Sequence, residues 1–187
     1  MTPAEYIELE EQTGKRYEYQ NGEVCAMSQN SLPHNLIASK LTRRIGNLIE
    51  PKGCEIVGSD QKVVILATGL ETYPDAAVYC GTPHLAGANS LALANPVFLA
   101  EVLSPSTEAY DRGDKAAHYR RSESLQEYLL IAQDRVRVER CRRSGQNEWL
   151  LSEFTTLADI IELTSLAISL PVADLYANVP LEPGRRR

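Results

Sequence analysis

The chain has 187 residues, 43% of them hydrophobic, which is enough for one well-filled core and short of room for two, so a single domain over residues 1–180 is expected. A net charge of −6 at pH 7 and a pI near 5.2 exclude a protein that holds nucleic acid through bulk positive charge. No apolar run approaches the roughly 18 residues of a membrane helix, and the polar start MTPAEYIELEEQ lacks the pattern of a secretion signal, so no membrane partner and a cytoplasmic location are expected.

Thr2 before Pro3 is a good N-cap and first helical position, Ala4 to Gln12 read as a polar helix, and Gly14 suits a left-handed cap. RYEYQ and EVCAMS follow as two short strand-like runs joined by Asn21-Gly22, the dipeptide that best fits a two-residue hairpin turn. Glu18 and Glu23 flank this turn; both read first as solvent-facing acids, and Glu18, set between Tyr17 and Tyr19, is the better candidate to face inward. From Pro33 to Glu50 apolar residues recur at helical spacing, giving an amphipathic helix packed on a sheet. His34 lies in its first turn, where the helix dipole disfavours a protonated ring, and a lone histidine there reads first as a cap or surface residue.

CEIVGS, KVVILA and PDAAVYC are strands with a turn at Thr68-Gly69, and Gly81 to Asn95 reads as a loop. VFLAEVL, residues 97–103, is a strand buried on both faces, because a continuous apolar run is favourable only in a sheet covered on both sides. SPST breaks it, Glu108 to about Ser122 is a helix, and EYLLIA, RVRVERC, EWLLSEF, IIEL and LAISL run on as a meander. The short helix VADLYAN and a loose tail, residues 181–187, close the chain. Cys25, Cys54, Cys80 and Cys141 show no short pairing, so free buried thiols are expected rather than a zinc site or a disulfide frame. Nine basic and six acidic residues lie between Asp111 and Arg143, a stretch that reads either as a solvated face or as a phosphate-contacting one.

Glu101 inside the buried strand needs a partner, since a buried carboxylate is costly unless paired, hydrogen-bonded or metal-bound. Asp75 opens its own apolar strand just after Pro74, in the same relation to its run. Two hard oxygen ligands with open positions suit a magnesium ion completed by waters and a substrate phosphate. Phosphodiester cleavage also wants a cation beside the metal, and the strand position that shares a face with Glu101 is Leu103 rather than a lysine. The nearest replacement is Lys115 on the following helix, whose competing reading is a solvated lysine paired with Asp111 at i−4; His118 and Tyr119 lie on the same side of that helix.

Pro74-Asp75 and, 26 residues on, Glu101-Val102-Leu103 resemble the metal-binding core of the PD-(D/E)XK nuclease superfamily. RYEYQNGEV, PHNLIASKL, YPDAAVYC, EVLSPSTEAYDRGDKAAHYRR and SLQEYLLI resemble, more closely, the bacterial Uma-two family of restriction-type endonucleases, over roughly Thr2 to Phe154. The resemblance implies a restriction-endonuclease-like α/β core, a mixed central sheet flanked by helices with an N-terminal helix and hairpin. It also implies a divalent cofactor, Mg2+ or Mn2+, and DNA as substrate and partner; a homodimer is compatible with it. Asp75 and Glu101 take the metal-ligand positions, Lys115 that of a migrated catalytic lysine, and Glu18 that of an outer metal ligand. His34, His118 and Tyr119 are second-tier site residues, and Arg120 and Arg121, beside the proposed site, are expected on the phosphate backbone. The competing readings are a non-catalytic relative serving as a DNA-binding or interaction module, and a metal hydrolase of smaller phosphoesters.

Overall fold

The structure, a computed structural model, describes residues 1–27 and 30–181; Ser28 at the end of the expected second hairpin arm and the expected tail from residue 182 lie outside the described residues. The chain begins with α1 (Pro3–Thr13), the strands β1 (Tyr17–Gln20) and β2 (Glu23–Ala26), and α2 (Leu32–Ile49). Then come β3 (Cys54–Gly58), β4 (Val63–Ile65), β5 (Leu70–Thr72), β6 (Ala76–Cys80), β7 (Leu85–Ala86), β8 (Ala92–Leu93) and β9 (Phe98–Leu103). A broken helical stretch follows, α3 (Glu108–Tyr110), a wider π-helical turn (Asp111–Lys115) and α4 (Ala116–Tyr119). The chain continues through β10 (Glu127–Ala132), β11 (Val138–Arg143), β12 (Trp149–Phe154), β13 (Ile160–Leu163), β14 (Ile168–Pro171) and α5 (Val172–Tyr176).

Local chemistry sets most of these boundaries. Thr2 and Glu5 form a reciprocal capping box at the start of α1, and Gly14 ends the helix at φ 63°. Asn21 and Gly22 take φ 48° and 92°, the positive pair that a two-residue hairpin of matching twist requires. Ser31 accepts the backbone N–H of His34, so α2 begins at Leu32, one residue before the apolar periodicity shows it.

Six strands in the order β12-β11-β10-β9-β6-β3 form the main sheet, antiparallel except for the central pair, in which β9 and β10 run parallel. A parallel pair needs a crossover, and the broken helix between Glu108 and Tyr119 is that crossover. A second sheet has the order β2-β1-β5-β4-β8-β7, so the expected loop between Gly81 and Asn95 carries two short strands that extend it. β10, β11 and β12 form the expected meander, whereas among the described residues β13 and β14 pair only with each other.

β9 is buried along its whole length, and its alternation divides the interior in two. Phe98, Ala100 and Val102 join a core with Ile37, Leu41 and Ile45 of α2 and with the β13–β14 hairpin and α5. Leu99 and Leu103 join a second core with Ala116, Tyr119, Leu125 and Tyr128, reached also by Val63, Ile65 and Leu70 of the second sheet. Leu103 is therefore a working core residue, and Glu101, between Leu99 and Leu103 in the alternation, faces the crossover helix.

The expectation of free buried thiols is corrected: two of the four cysteines are not free, and a third is not buried. Antiparallel pairing of β3 with β6 puts Cys54 directly opposite Cys80, and the two form a disulfide, while Cys25 is exposed and Cys141 half-buried as free thiols. The pairing is long-range, and spacing along the chain does not display which strands become neighbours. Thiol titration in denaturant is expected to find Cys25 and Cys141 reactive before reduction, with Cys54 and Cys80 joining them only after it; four reactive thiols without reductant would contradict the bridge.

Candidate active site

The ladder between β6 and β9 ends at the pair Ala76–Ala100, and one further step brings Asp75 against Glu101. Pro74, with no N–H to give, closes the ladder there. Asp75 Oδ2 accepts the Val102 N–H at 2.7 Å, so the carboxylate takes the place of the next backbone acceptor. His34 adds a second donor, with Nε2 at 3.2 Å from the same oxygen. This histidine is only 4% exposed, so it is not a surface residue. Among the described residues its Nδ1 is buried without a hydrogen-bond partner, which favours the tautomer whose proton is on Nε2 and directed at Asp75.

Lys115 stands on the other side of Glu101. Its Nζ is 2.9 Å from Glu101 Oε1, 2.7 Å from Glu18 Oε1 and 3.7 Å from Asp111 Oδ1, and the residue is 3% exposed. The solvated lysine with Asp111 as its i−4 partner is thus not what forms: Asp111 is the most distant of the three acids. Tyr119 donates its hydroxyl to Glu101 Oε1, and Thr72 of β5 donates to Glu18 Oε1. Thr72 escapes sequence reading because it meets Glu18 only through pairing of two sheet elements far apart in the chain.

Glu18, Asp75, Glu101, Asp111 and Lys115 line a cavity of about 560 Å³ between the β1–β2 hairpin and the crossover helix, with His34, Tyr110, Asp114 and His118 also on its wall. Acids predominate there: Glu18, Glu23, Asp75, Glu101, Asp111 and Asp114 face one lysine and two histidines. The imbalance shows in the ionisation of the groups. Burial pushes the Glu101 carboxyl up to about 8, opposed by Lys115 and reinforced by Asp111 and Asp75. Burial likewise raises Asp111. Glu18 goes the other way, because Lys115 and the hydrogen bonds from Lys115 and Thr72 outweigh its burial. For Lys115, burial alone would favour the uncharged amine, yet Glu101, Tyr119, Glu18 and Asp111 hold the ammonium well above its ordinary value.

Among the described residues no three His, Cys, Asp or Glu side chains stand together as a ready-made metal cluster. The donor set nonetheless fits a hard cation. Hydrogen bonds engage Asp75 Oδ2 and Glu101 Oε1, while among the described residues none reaches Asp75 Oδ1 or Glu101 Oε2, on two acids 8% and 6% exposed at the cavity wall. Two open carboxylate oxygens on neighbouring strands are the kind of protein contribution that Mg2+ takes, with waters and a phosphate supplying the rest.

Arg120 and Arg121 are not on this cavity. Arg120 donates to the Tyr128 hydroxyl at 2.9 Å, in a groove with Trp149 and Leu151, and Arg121 is exposed. Much of the basic stretch is occupied by internal partners: Arg112 pairs with Glu108 and Glu139, Arg137 with Glu139 and Glu153, and Arg143 lies over Trp149.

A family model described as "Putative restriction endonuclease", Uma2, matches residues 3–173. Two Synechocystis proteins are similar along the chain: uncharacterized protein slr1290, 34% identical over 96% of this chain and 93% of its own, and uncharacterized protein sll1609, 36% identical over 82% and 86%. A crystal structure of a "putative nuclease belonging to DUF820" from Anabaena variabilis superposes with a TM-score of 0.76 at 20% identity, over 94% of this chain and 97% of the other, a likeness of fold.

With divalent ions chelated, Glu101 should dominate the pH dependence of stability. Its folded-state value lies above that of the unfolded chain, so its contribution is full below about 4.3 and is lost as pH rises through about 8. Glu101→Gln should flatten that decline in urea denaturation across the window; an unchanged slope would show that Glu101 is not the group responsible.

Proposed function

The chain belongs to the Uma2 family, whose description is that of a restriction-type nuclease, and from that membership we propose that it is a metal-dependent DNA endonuclease whose chemistry is centred on Asp75, Glu101 and Lys115. The observation that carries the reading is the buried ammonium of Lys115, 2.9 Å from Glu101, beside two carboxylates that each keep one oxygen without a hydrogen bond among the described residues. Among the described residues those oxygens are Asp75 Oδ1 and Glu101 Oε2.

In this reading Asp75 and Glu101 hold Mg2+ or Mn2+ through those oxygens, and the ion, when bound, lowers the pKa of a coordinated water and shares the phosphate's charge. Tyr119 keeps Glu101 Oε1 engaged, and the Val102 N–H and His34 fix Asp75, so that neither carboxylate has to reorganise on meeting the ion. Lys115 directs its ammonium at the scissile phosphate or the attacking water, where negative charge grows in the transition state. DNA as substrate follows from the family. The acidic cavity itself offers a polyanion little attraction, so longer-range phosphate contacts fall to outer residues such as Arg121, with His118 on the cavity wall as a polar neighbour of the reacting group.

Asp75→Ala and Glu101→Ala should each abolish Mg2+ binding in titration calorimetry and cleavage of plasmid DNA while the protein stays folded, since each removes a charge and little core volume. Wild-type affinity in both variants would remove the metal-site reading and favour a non-catalytic relative. Lys115→Ala should keep Mg2+ affinity and lose about a hundredfold or more in single-turnover cleavage, the mark of a group acting in the transition state. Adding Leu103→Lys to Lys115→Ala should restore part of that rate. Recovery stays partial because Leu103 is 2% exposed in the second core and burying a lysine there forgoes roughly 2 kcal/mol of hydrophobic stabilisation.

A further inference from the structure

A lysine on a central strand starts from a backbone held by the sheet on both sides, whereas Lys115 starts from a helix, and in either place the flexible four-carbon stem carries rotamer freedom of about 2 kcal/mol. The crossover helix that carries Lys115 is short and interrupted by a π-turn ending at Lys115 itself, so it cannot supply the missing rigidity alone. A second anchor is needed, and the shortest contact of the ammonium is not with Glu101 but with Glu18, at 2.7 Å.

Glu18 is itself held firmly. β1 is hydrogen-bonded on both sides, to β2 through Glu18–Cys25 and its neighbours and to β5 through Tyr19–Glu71. Thr72, on β5, donates to the same Oε1 that receives Lys115. The preceding residue is tied to α1, whose Glu10 accepts the Tyr17 N–H at 3.1 Å and whose Tyr6 hydroxyl donates to the Tyr17 carbonyl at 3.1 Å. Glu10 in turn pairs with the buried Lys62 at 2.7 Å. Lys115 stands between Glu18 and Glu101, with one oxygen of each on the ammonium, and among the described residues Glu18 does not join Asp75 and Glu101 in a three-acid metal cluster.

We infer that Glu18 is a positioning residue for Lys115, delivered by the N-terminal hairpin to compensate for the lysine's place on a helix, and not an outer metal ligand. The inference rests on the endonuclease reading above. It gives α1 and the hairpin a purpose in the reaction, since they hold Glu18 and through it the ammonium.

The test separates the two roles by metal affinity and by coupling. Glu18→Gln retains an oxygen acceptor and should fold normally; its Mg2+ affinity should stay within about twofold of wild type while single-turnover cleavage falls about tenfold, with DNA affinity unchanged. Glu18→Ala should fall about a hundredfold, and Thr72→Val should follow in the same direction with a smaller loss. Placed on Lys115→Ala, Glu18→Ala should add less than about a twofold further loss, because a group that acts only through the lysine has nothing left to position. Loss of Mg2+ affinity in Glu18→Gln, full additivity on Lys115→Ala, or wild-type rates in Glu18→Ala would each overturn the assignment alone. A wild-type protein that neither binds Mg2+ nor cleaves DNA would overturn the endonuclease reading, and this assignment with it.

Discussion

One buried ammonium surrounded by carboxylates is the constraint around which the rest of the molecule is arranged. Each charge taken singly would be expensive to bury, by several kcal/mol per ion, and together they are tolerable only with close geometry and extra hydrogen bonds. The closeness comes from three parts of the chain at once: Glu18 from the N-terminal hairpin, Glu101 from the central strand, and Asp111 and Lys115 from the crossover helix. None of these elements can shift without leaving a buried charge unpaired, so the cluster fixes the hairpin and the helix relative to the main sheet. The excess of acid that remains is visible in Glu101, raised by burial and by its acidic neighbours, and a bound cation would relieve it.

The central strand makes this possible because it serves two cores. Its even-numbered residues pack under α2 and its odd-numbered residues under the crossover helix, so a single polar residue at position 101 opens the second core toward the cavity without disturbing the first. Leu99 and Leu103 close the apolar wall on either side of Glu101. With position 103 committed to packing, the cation has to arrive from the element covering that face, and the parallel β9–β10 pairing obliges the chain to place a helix there.

Much of this was determined by the sequence itself. The capped first helix, the Asn21-Gly22 hairpin, the amphipathic α2 and the doubly buried strand all follow from short-range rules, because caps, turn angles and periodicity depend on neighbours in the chain. Asp75 and Glu101 were also legible as a pair, since each sits anomalously at an otherwise apolar strand, and Leu103 pointed by its own unsuitability to Lys115. The family strings reinforced these readings, and the family match and the likeness of fold agree with them on family and fold.

Only the tertiary structure decided which of several plausible neighbours each group would choose. Lys115 keeps Asp111, one helical turn away, at 3.7 Å but makes its shortest contact, 2.7 Å, with Glu18, from which 97 positions of sequence separate it, because strand pairing in the second sheet delivers that acid. His34 could have remained a surface cap and is instead buried on Asp75, and Cys54 and Cys80, with nothing in their spacing to couple them, face each other across β3 and β6. The basic stretch after Asp111 reads as a patch in one dimension, whereas folding distributes much of it among internal ion pairs. In each case the deciding quantity is a long-range register between strands or the packing of a helix on a sheet, set by how whole apolar faces fit together and not by the residues nearest in the chain.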